Sequence, residues 1–251
     1  DNVSFTMFWK PSWMRIDNVS NGVISGTPDG AAVGMLPTNI FYMMEGPKTI
    51  TGRNFSVSVT APEINATSIQ SGDSHSCALD NSSGRVKCWG NSLYLGLGLL
   101  EPGALGFNLN KGDKPNSMGS NLGYLDLGTG RTATSISVGG DHACAILDNA
   151  SVKCWGSGSY GKLGYGNQNM LGEGPNEMGD NLPTVDLGTG RTATSISAGS
   201  SHTCAILDNA SVKCWGKGYQ GLLGIGNQNN MGDGLNEMGD NLPTVDLGTG
   251  R

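Results

Sequence analysis

Charge is scarce in this 251-residue chain: only 14 % of residues are Asp, Glu, Lys or Arg, and aromatic residues make up 6 %. The little charge present is not basic. With 15 Lys and Arg against 21 Asp and Glu, the net charge is -6, which argues against electrostatic binding to nucleic acid or to an anionic membrane. No run of about 18 apolar residues occurs, so no segment of this stretch reads as a membrane-spanning helix. No charged-then-apolar leader precedes Asp1, and the expectation is a processed protein or a window on a longer one. Catalytic signatures are lacking too: there is no nucleophile elbow, no H-E-x-x-H and no P-loop, so no enzyme is expected. Glycine is what the chain has in excess, at 41 residues, about twice ordinary usage. Hydrophobic residues at 37 % exclude a disordered tail, and short strands joined by Gly-rich turns suit these numbers better than a helical bundle.

The six cysteines fall in three local pairs, Cys77 and Cys88, Cys144 and Cys154, Cys204 and Cys214, each with a turn sequence between its members. If Asp208, Asn209 and Ala210 form a three-residue hairpin loop, Leu207 faces Ser211 and the same count sets Cys204 opposite Cys214. Directly opposed residues lie about 4.5 to 5.5 Å apart, within disulfide reach. Zinc is the competing reading, but its ligands usually come as C-x-x-C pairs, which this chain lacks. Three disulfides imply an oxidising compartment, hence an extracellular or cell-surface protein. Sequons point the same way, at Asn2, Asn18, Asn54, Asn65, Asn81, Asn149 and Asn209. Asn81, Asn149 and Asn209 sit in the inferred hairpin loops, where attached glycans would point into solvent. The alternative is that Asp-Asn there is only turn chemistry.

An internal repeat sets the architecture. Residues 132–191 and 192–251 align without a gap and agree at 47 of 60 positions, and a more divergent copy occupies 67–131. Each copy reads as four short strands; in the last these are about 194–197, 202–207, 212–215 and 244–246. Such periods suggest propeller blades, which bury their faces only by stacking on neighbours.

The run from Ala198 through Cys204, Cys214, Trp215 and Gly216, followed by Leu223 and Gly224, resembles the repeat of the regulator of chromosome condensation family in its secreted, disulfide-containing form. It recurs from Cys144 to Gly156 with Gly161 to Gly164, and from Cys77 to Gly90 with Leu95 to Gly98. The resemblance implies blades of a β-propeller, usually seven. Ala150 and Ala210 depart from the family by replacing a loop Gly, and each copy carries a Gly/Asn-rich insertion. Three blades cannot close a ring, so the expected fold is all-β, with three four-stranded propeller-type blades in an incomplete ring or a longer array. The missing blades would be further blades of the same polypeptide or other copies of it.

The first 65 residues differ. Pro11 to Met14, Asn21 to Pro28 and Phe55 to Val59 resemble the later half of immunoglobulin-like or cadherin-like domains. The expected organisation is a partial immunoglobulin-like β-sandwich at 1–62 with Trp9 and Trp13 in its core, a linker at 63–66, and repeats at 67–131, 132–191 and 192–251.

Few residues invite a site. His75, His142 and His202 share one repeat position; a metal would require convergence across blades, and a single hydrogen bond within each blade is the plainer expectation. Trp89, Trp155 and Trp215 are expected to pack between blades, with exposed glycan stacking as the alternative. In the insertions, Asp233, Asn236, Glu237 and Asp240 are matched by Glu173, Asn176, Glu177 and Asp180, oxygen ligands that could hold calcium. Their spacing does not follow a known calcium loop, and a polar loop held by Asx turns competes. No other cofactor is implied.

Three functions follow. The first is an extracellular structural or adhesive glycoprotein, a repeating component of a surface layer, appendage or filament, because near-identical blades make equal contacts. The second is a recognition propeller of lectin or inhibitor type, using positions 157–162 and 170–175, where the last two copies differ. Nucleotide exchange on a small GTPase is what the family name suggests, and acidic charge, sequons and paired cysteines argue against it.

Overall fold

The computed structural model describes residues 14–20, 23–28, 65–98 and 109–248. Contacts divide the chain into two units, Asp1–Glu63 and Ile64–Arg251. In the first, β1 (Met14–Ser20) pairs antiparallel with β2 (Val23–Pro28), with a register slip between Ile16 and Asn18. A lone two-stranded hairpin has no second sheet to pack on, so the expected sandwich is not what the described residues of this unit show. Trp9, Trp13, Asn2, Asn54 and the segment 55–59 lie outside the described residues.

The second unit holds three antiparallel sheets of three strands each. They are β3 (Ser68–Ser71), β4 (His75–Asp80) and β5 (Arg85–Gly90); β6 (Ala133–Val138), β7 (His142–Leu147) and β8 (Val152–Gly156); and β9 (Ala193–Ala198), β10 (His202–Leu207) and β11 (Val212–Gly216). The central strand of each sheet is the middle one in sequence. Its hairpin to the third strand is set by local chemistry: Asn149 Oδ1 accepts from Ser151 N and Oγ at 3.2 and 2.7 Å, and Asn209 does the same with Ser211. The resulting count places Cys77 opposite Cys88, Cys144 opposite Cys154 and Cys204 opposite Cys214. All three pairs are closed as disulfides, with Cα atoms 4.0 to 4.1 Å apart.

The expected fourth strand is not formed as a strand. What stands there is an extended segment held beside the third strand, with Leu125, Val185 and Val245 N donating to Val86, Val152 and Val212 O. A proline cannot donate to a ladder, and Pro183 and Pro243 lie two residues before the paired valines. On the other side Asp186 and Asp246 turn the chain at once, accepting from Gly188 N and Gly248 N.

The core explains why the repeats come together. One buried cluster joins Leu79, Val86 and Leu125 of the first copy to Ile136, Leu147 and Trp155 of the second. Another joins Ile146, Val152 and Val185 of the second to Ile196, Leu207 and Trp215 of the third. A three-stranded sheet is too thin to hide its own apolar face, and each copy therefore hides it against the next.

The family's loop glycine survives as Gly84 at φ 65°, and its counterparts Ala150 and Ala210 are held at φ 62° and 64°. A left-handed L-residue costs about 1–2 kcal/mol, and the exposed Ala210 methyl gains no packing in return. Ala210→Gly should therefore stabilise the protein by about 0.5–1 kcal/mol after the entropic cost of glycine, read as a higher urea midpoint at unchanged slope. A lower midpoint would contradict the strain.

Candidate functional site: the seam between repeats

The surface on which one copy meets the next is the most elaborated part of the described molecule, and the same contacts build it twice. Lys153 on β8 donates from Nζ to Leu127 O of the preceding copy and to Gly179 O of its own, at 3.0 and 2.7 Å. Lys213 on β11 repeats this with Leu187 O and Gly239 O at 3.1 and 2.7 Å. Burial lowers the Lys153 pKa, but two carbonyls satisfy its ammonium. Asp180 accepts from Thr129 N and Oγ1, and Asp240 from Thr189 N and Oγ1, at 2.5 to 2.9 Å. These bonds hold both carboxyls below the ordinary carboxylate pKa. At the rim Arg131 pairs with Asp148 and Arg191 with Asp208, at 3.1 and 3.3 Å, exposed pairs worth little.

Tryptophan fills the middle of each seam. Trp155 and Trp215 are fully buried and lie against Gly96 and Gly164 of the preceding copies, where an added Cβ would stand 2.9 Å from the indole nitrogen. Trp89, in the first copy, is half-buried. Nearer the first strands the backbones themselves touch: a Cβ on Gly72 would meet Gly139 O at 1.8 Å, and one on Gly139 would meet Gly199 O at 2.2 Å.

His142 bonds across the seam rather than within its own blade, which corrects the expectation for that residue. His142 Nε2 lies 2.8 Å from Thr203 Oγ1 of the next copy. Thr203 Oγ1 donates to Lys162 O at 2.9 Å, and Trp215 Nε1 donates to the same carbonyl at 3.1 Å. A hydroxyl has one proton, so Thr203 receives that of His142 Nε2. The first seam lacks this relay because Ala143 stands where the third copy has Thr203. Both His75 ring nitrogens and Trp155 Nε1 are buried there without a hydrogen-bond partner among the described residues, as is His142 Nδ1.

The insertion carboxylates are engaged by their own loops and by the preceding copy. Glu177 Oε2 accepts from Gly172 N and Gly174 N, and Glu237 Oε2 from Gly232 N and Gly234 N. Glu173 is raised in pKa by burial and by Glu177, and Asp233 meets Gln168 and Asn230 amides. Asn176 and Asn236 take left-handed turns at φ 62°. Asp180 and Asp240 belong to the seam, and no cluster of three or more metal-binding side chains occurs among the described residues. The loops are held by carboxylate and Asx turns, with Asn167 and Asn227 capping Asn169 N and Asn229 N. Of the sequon residues, Asn65, Asn81, Asn149 and Asn209 are exposed. Asn18 lies in β1.

Comparison with known proteins fits this construction. Residues 66–94, 133–162 and 193–221 match the Regulator of chromosome condensation (RCC1) repeat, as do residues 151–206 in a second form of that model. Over those residues the chain carries RCC1 repeats in tandem. It is 33 % identical over 170 residues to the Ultraviolet-B receptor UVR8 of Arabidopsis thaliana, covering 67 % of this chain and 33 % of the receptor. It is 30 % identical over 105 residues to the Serine/threonine-protein kinase Nek8 of Danio rerio, covering 42 % of this chain and 14 % of the kinase. The chain thus spans a third or less of these relatives' length. Among solved structures, human WBSCR16 aligns over 88 % of this chain and 50 % of its own, at 18 % identity and TM-score 0.49.

Two outcomes test the seam. Thr203→Ala should cost about 1–3 kcal/mol, since it strands the buried His142 Nε2 and removes one of the two donors to Lys162 O, whereas Ala143→Thr should gain about 1 kcal/mol by supplying a hydroxyl to His75; thermal melts of the two variants read both. Burial lowers the His75 pKa to about 4 and that of His142 to about 3. Between those values and the unfolded 6.5 the unfolded chain binds more protons, so stability is full above about pH 6.5 and falls as pH drops toward 4. His75→Asn should flatten part of that slope in urea melts from pH 7 to 4, and an unchanged slope would contradict the burial argument.

Proposed function

We propose that the protein is an extracellular structural or adhesive repeat protein that recruits further blades, or other copies of itself, through the open face of its last sheet. One observation carries the reading. The face of the second sheet that receives the third is closed, with Ile146 4 % exposed, while its counterpart Ile206 is 44 % exposed. Tyr219 and Leu222 beside it are exposed as well, at 54 % and 45 %, whereas Lys162, the counterpart of Leu222, is 3 % exposed. The open face thus keeps the isoleucine that the second sheet uses against its neighbour, with Tyr219 and Leu222 in place of Ser159 and Lys162, and a further blade is the partner this more apolar face fits. RCC1-like repeat proteins in general mediate protein binding, which agrees with this use.

Three local disulfides are consistent with an extracellular protein, and no helix among the described residues is long and apolar enough to cross a membrane. In this reading each disulfide limits the unfolding of its blade by about 2–3 kcal/mol. Glycans at Asn81, Asn149 and Asn209 would shield the hairpin tips, and the protein catalyses no reaction. Contacts of this heterologous kind extend into filaments when they do not close. A recognition propeller remains the second reading, favoured by the clustering of copy differences at 157–162 and 170–175.

Native material viewed by electron microscopy, with sedimentation for mass, should show assemblies that extend by this unit. Ile206→Asp should abolish them without lowering the melting temperature by more than a few degrees. A monodisperse monomer that Ile206→Asp leaves unchanged would refute self-assembly through this face.

A further inference from the structure

Besides the histidine relay, the two seams differ where Leu97 stands at the repeat position of Tyr165. Between the first and second copies lies a cavity of about 540 Å³, walled by the 96–98 loop and the 121–126 segment on one side and the 174–181 loop on the other. In the second seam Tyr165 occupies the position of Leu97, and its hydroxyl bonds to Cys154 N, Cys154 O and Pro183 O at 2.9 to 3.0 Å. In the first seam Leu97 has no hydroxyl and a shorter side chain, and Gly123 stands in place of Pro183. The space is therefore made by two substitutions within a repeated frame, while the clamp of Asp180 on Thr129 beside it is kept.

We propose that this cavity is a binding site for a short neutral saccharide, of one or two sugar units. The volume lies within the range of small-ligand sites, about 300–1,000 Å³. Its wall offers what a polyol requires. Asn121, Asn176 and Asn181 present amides that both donate and accept, Asp126 and Asp180 accept, Lys111 adds an ammonium donor that offsets part of their charge, and Leu97 with Met178 supplies an apolar patch for ring carbons. The two carboxylates do not call for a cation. Asp180 is bonded by Thr129, Asp126 by Gly128 N at 2.9 Å, and the Lys153 ammonium lies within their field. What they retain is spare accepting capacity, suited to hydroxyls. Tyr124 is fixed at the edge of the site, with the Lys87 ammonium 4.5 Å and the Arg85 guanidinium 5.0 Å from its ring centre. Next to Gly96 in the wall, the Trp155 indole N–H is buried without a partner among the described residues. Its counterpart Trp215 is satisfied by Lys162 O. This site is independent of the open terminal face, and it stands whether or not copies assemble.

The test is saturation-transfer NMR on the full 251-residue chain with cellobiose, maltose, lactose and diacetylchitobiose, and with putrescine as a cationic control. Transfer to at least one disaccharide is expected, lost at least tenfold in Leu97→Tyr, which installs the residue that the second seam already tolerates. Asn181→Ala, which leaves the apolar wall intact, should weaken the same signal at an unchanged melting temperature. Absence of transfer from all four sugars, equal transfer in both variants, or transfer to putrescine alone would overturn the proposal.

Discussion

Each of the first two sheets in the described array has its apolar face covered by the next copy, and most of the structure follows from that one constraint. Three short strands cannot enclose a core, so Leu, Ile and Val side chains of neighbouring copies form shared clusters, with a tryptophan in each. A shared core demands close approach, which explains why glycines occupy Gly72 and Gly139, where any side chain would collide with the backbone of the next copy. It also demands that polar groups trapped at the seam be answered. Lys153 and Lys213 each reach one carbonyl across it and one in their own copy, and Asp180 and Asp240 cap the end of the copy before.

Within a copy the disulfide does a different job. It joins the second and third strands and does not cross the seam, so it limits local unfolding without fixing the spacing between copies. Relative position is left to packing and hydrogen bonds, and small differences between copies therefore change one seam and not the other. Thr203 completes a relay from His142 to Lys162 O, whereas Ala143 leaves His75 unanswered. Tyr165 fills a space that Leu97 leaves open.

How far these features were legible in the sequence depends on how local their causes are. The cysteine register followed from counting across a three-residue turn, and Asp-Asn turn chemistry supplied the count. The tryptophans announced a seam because they follow the second cysteine in every copy. The fourth strand misled, since Val185 and Val245 look like strand residues, while Pro183, Pro243 and the Asp-turn beyond them hold pairing to an isolated bridge at most. The partners of the acidic insertion were only half legible: Glu177 and Glu237 serve backbone amides three to five residues away, but Asp180 and Asp240 serve a threonine 51 residues away. The histidine relay was not legible, because it rests on Ala143 versus Thr203, one difference among 13. The short hairpin of β1 and β2 fits many folds, and its resemblance to a sandwich could not be carried further.

If the shared core is what holds the array, a copy covered on both faces must open less often than one covered on a single face. Native-state hydrogen exchange measures this directly, strand by strand. The strands β7 and β10 are closely similar in sequence and pairing, so their amides differ mainly in what covers them. The account predicts slower exchange for Ala145 and Ile146 in β7 than for Ala205 and Ile206 in β10. Equal protection, or better protection in β10, would contradict it and would mean that each copy is stabilised from within.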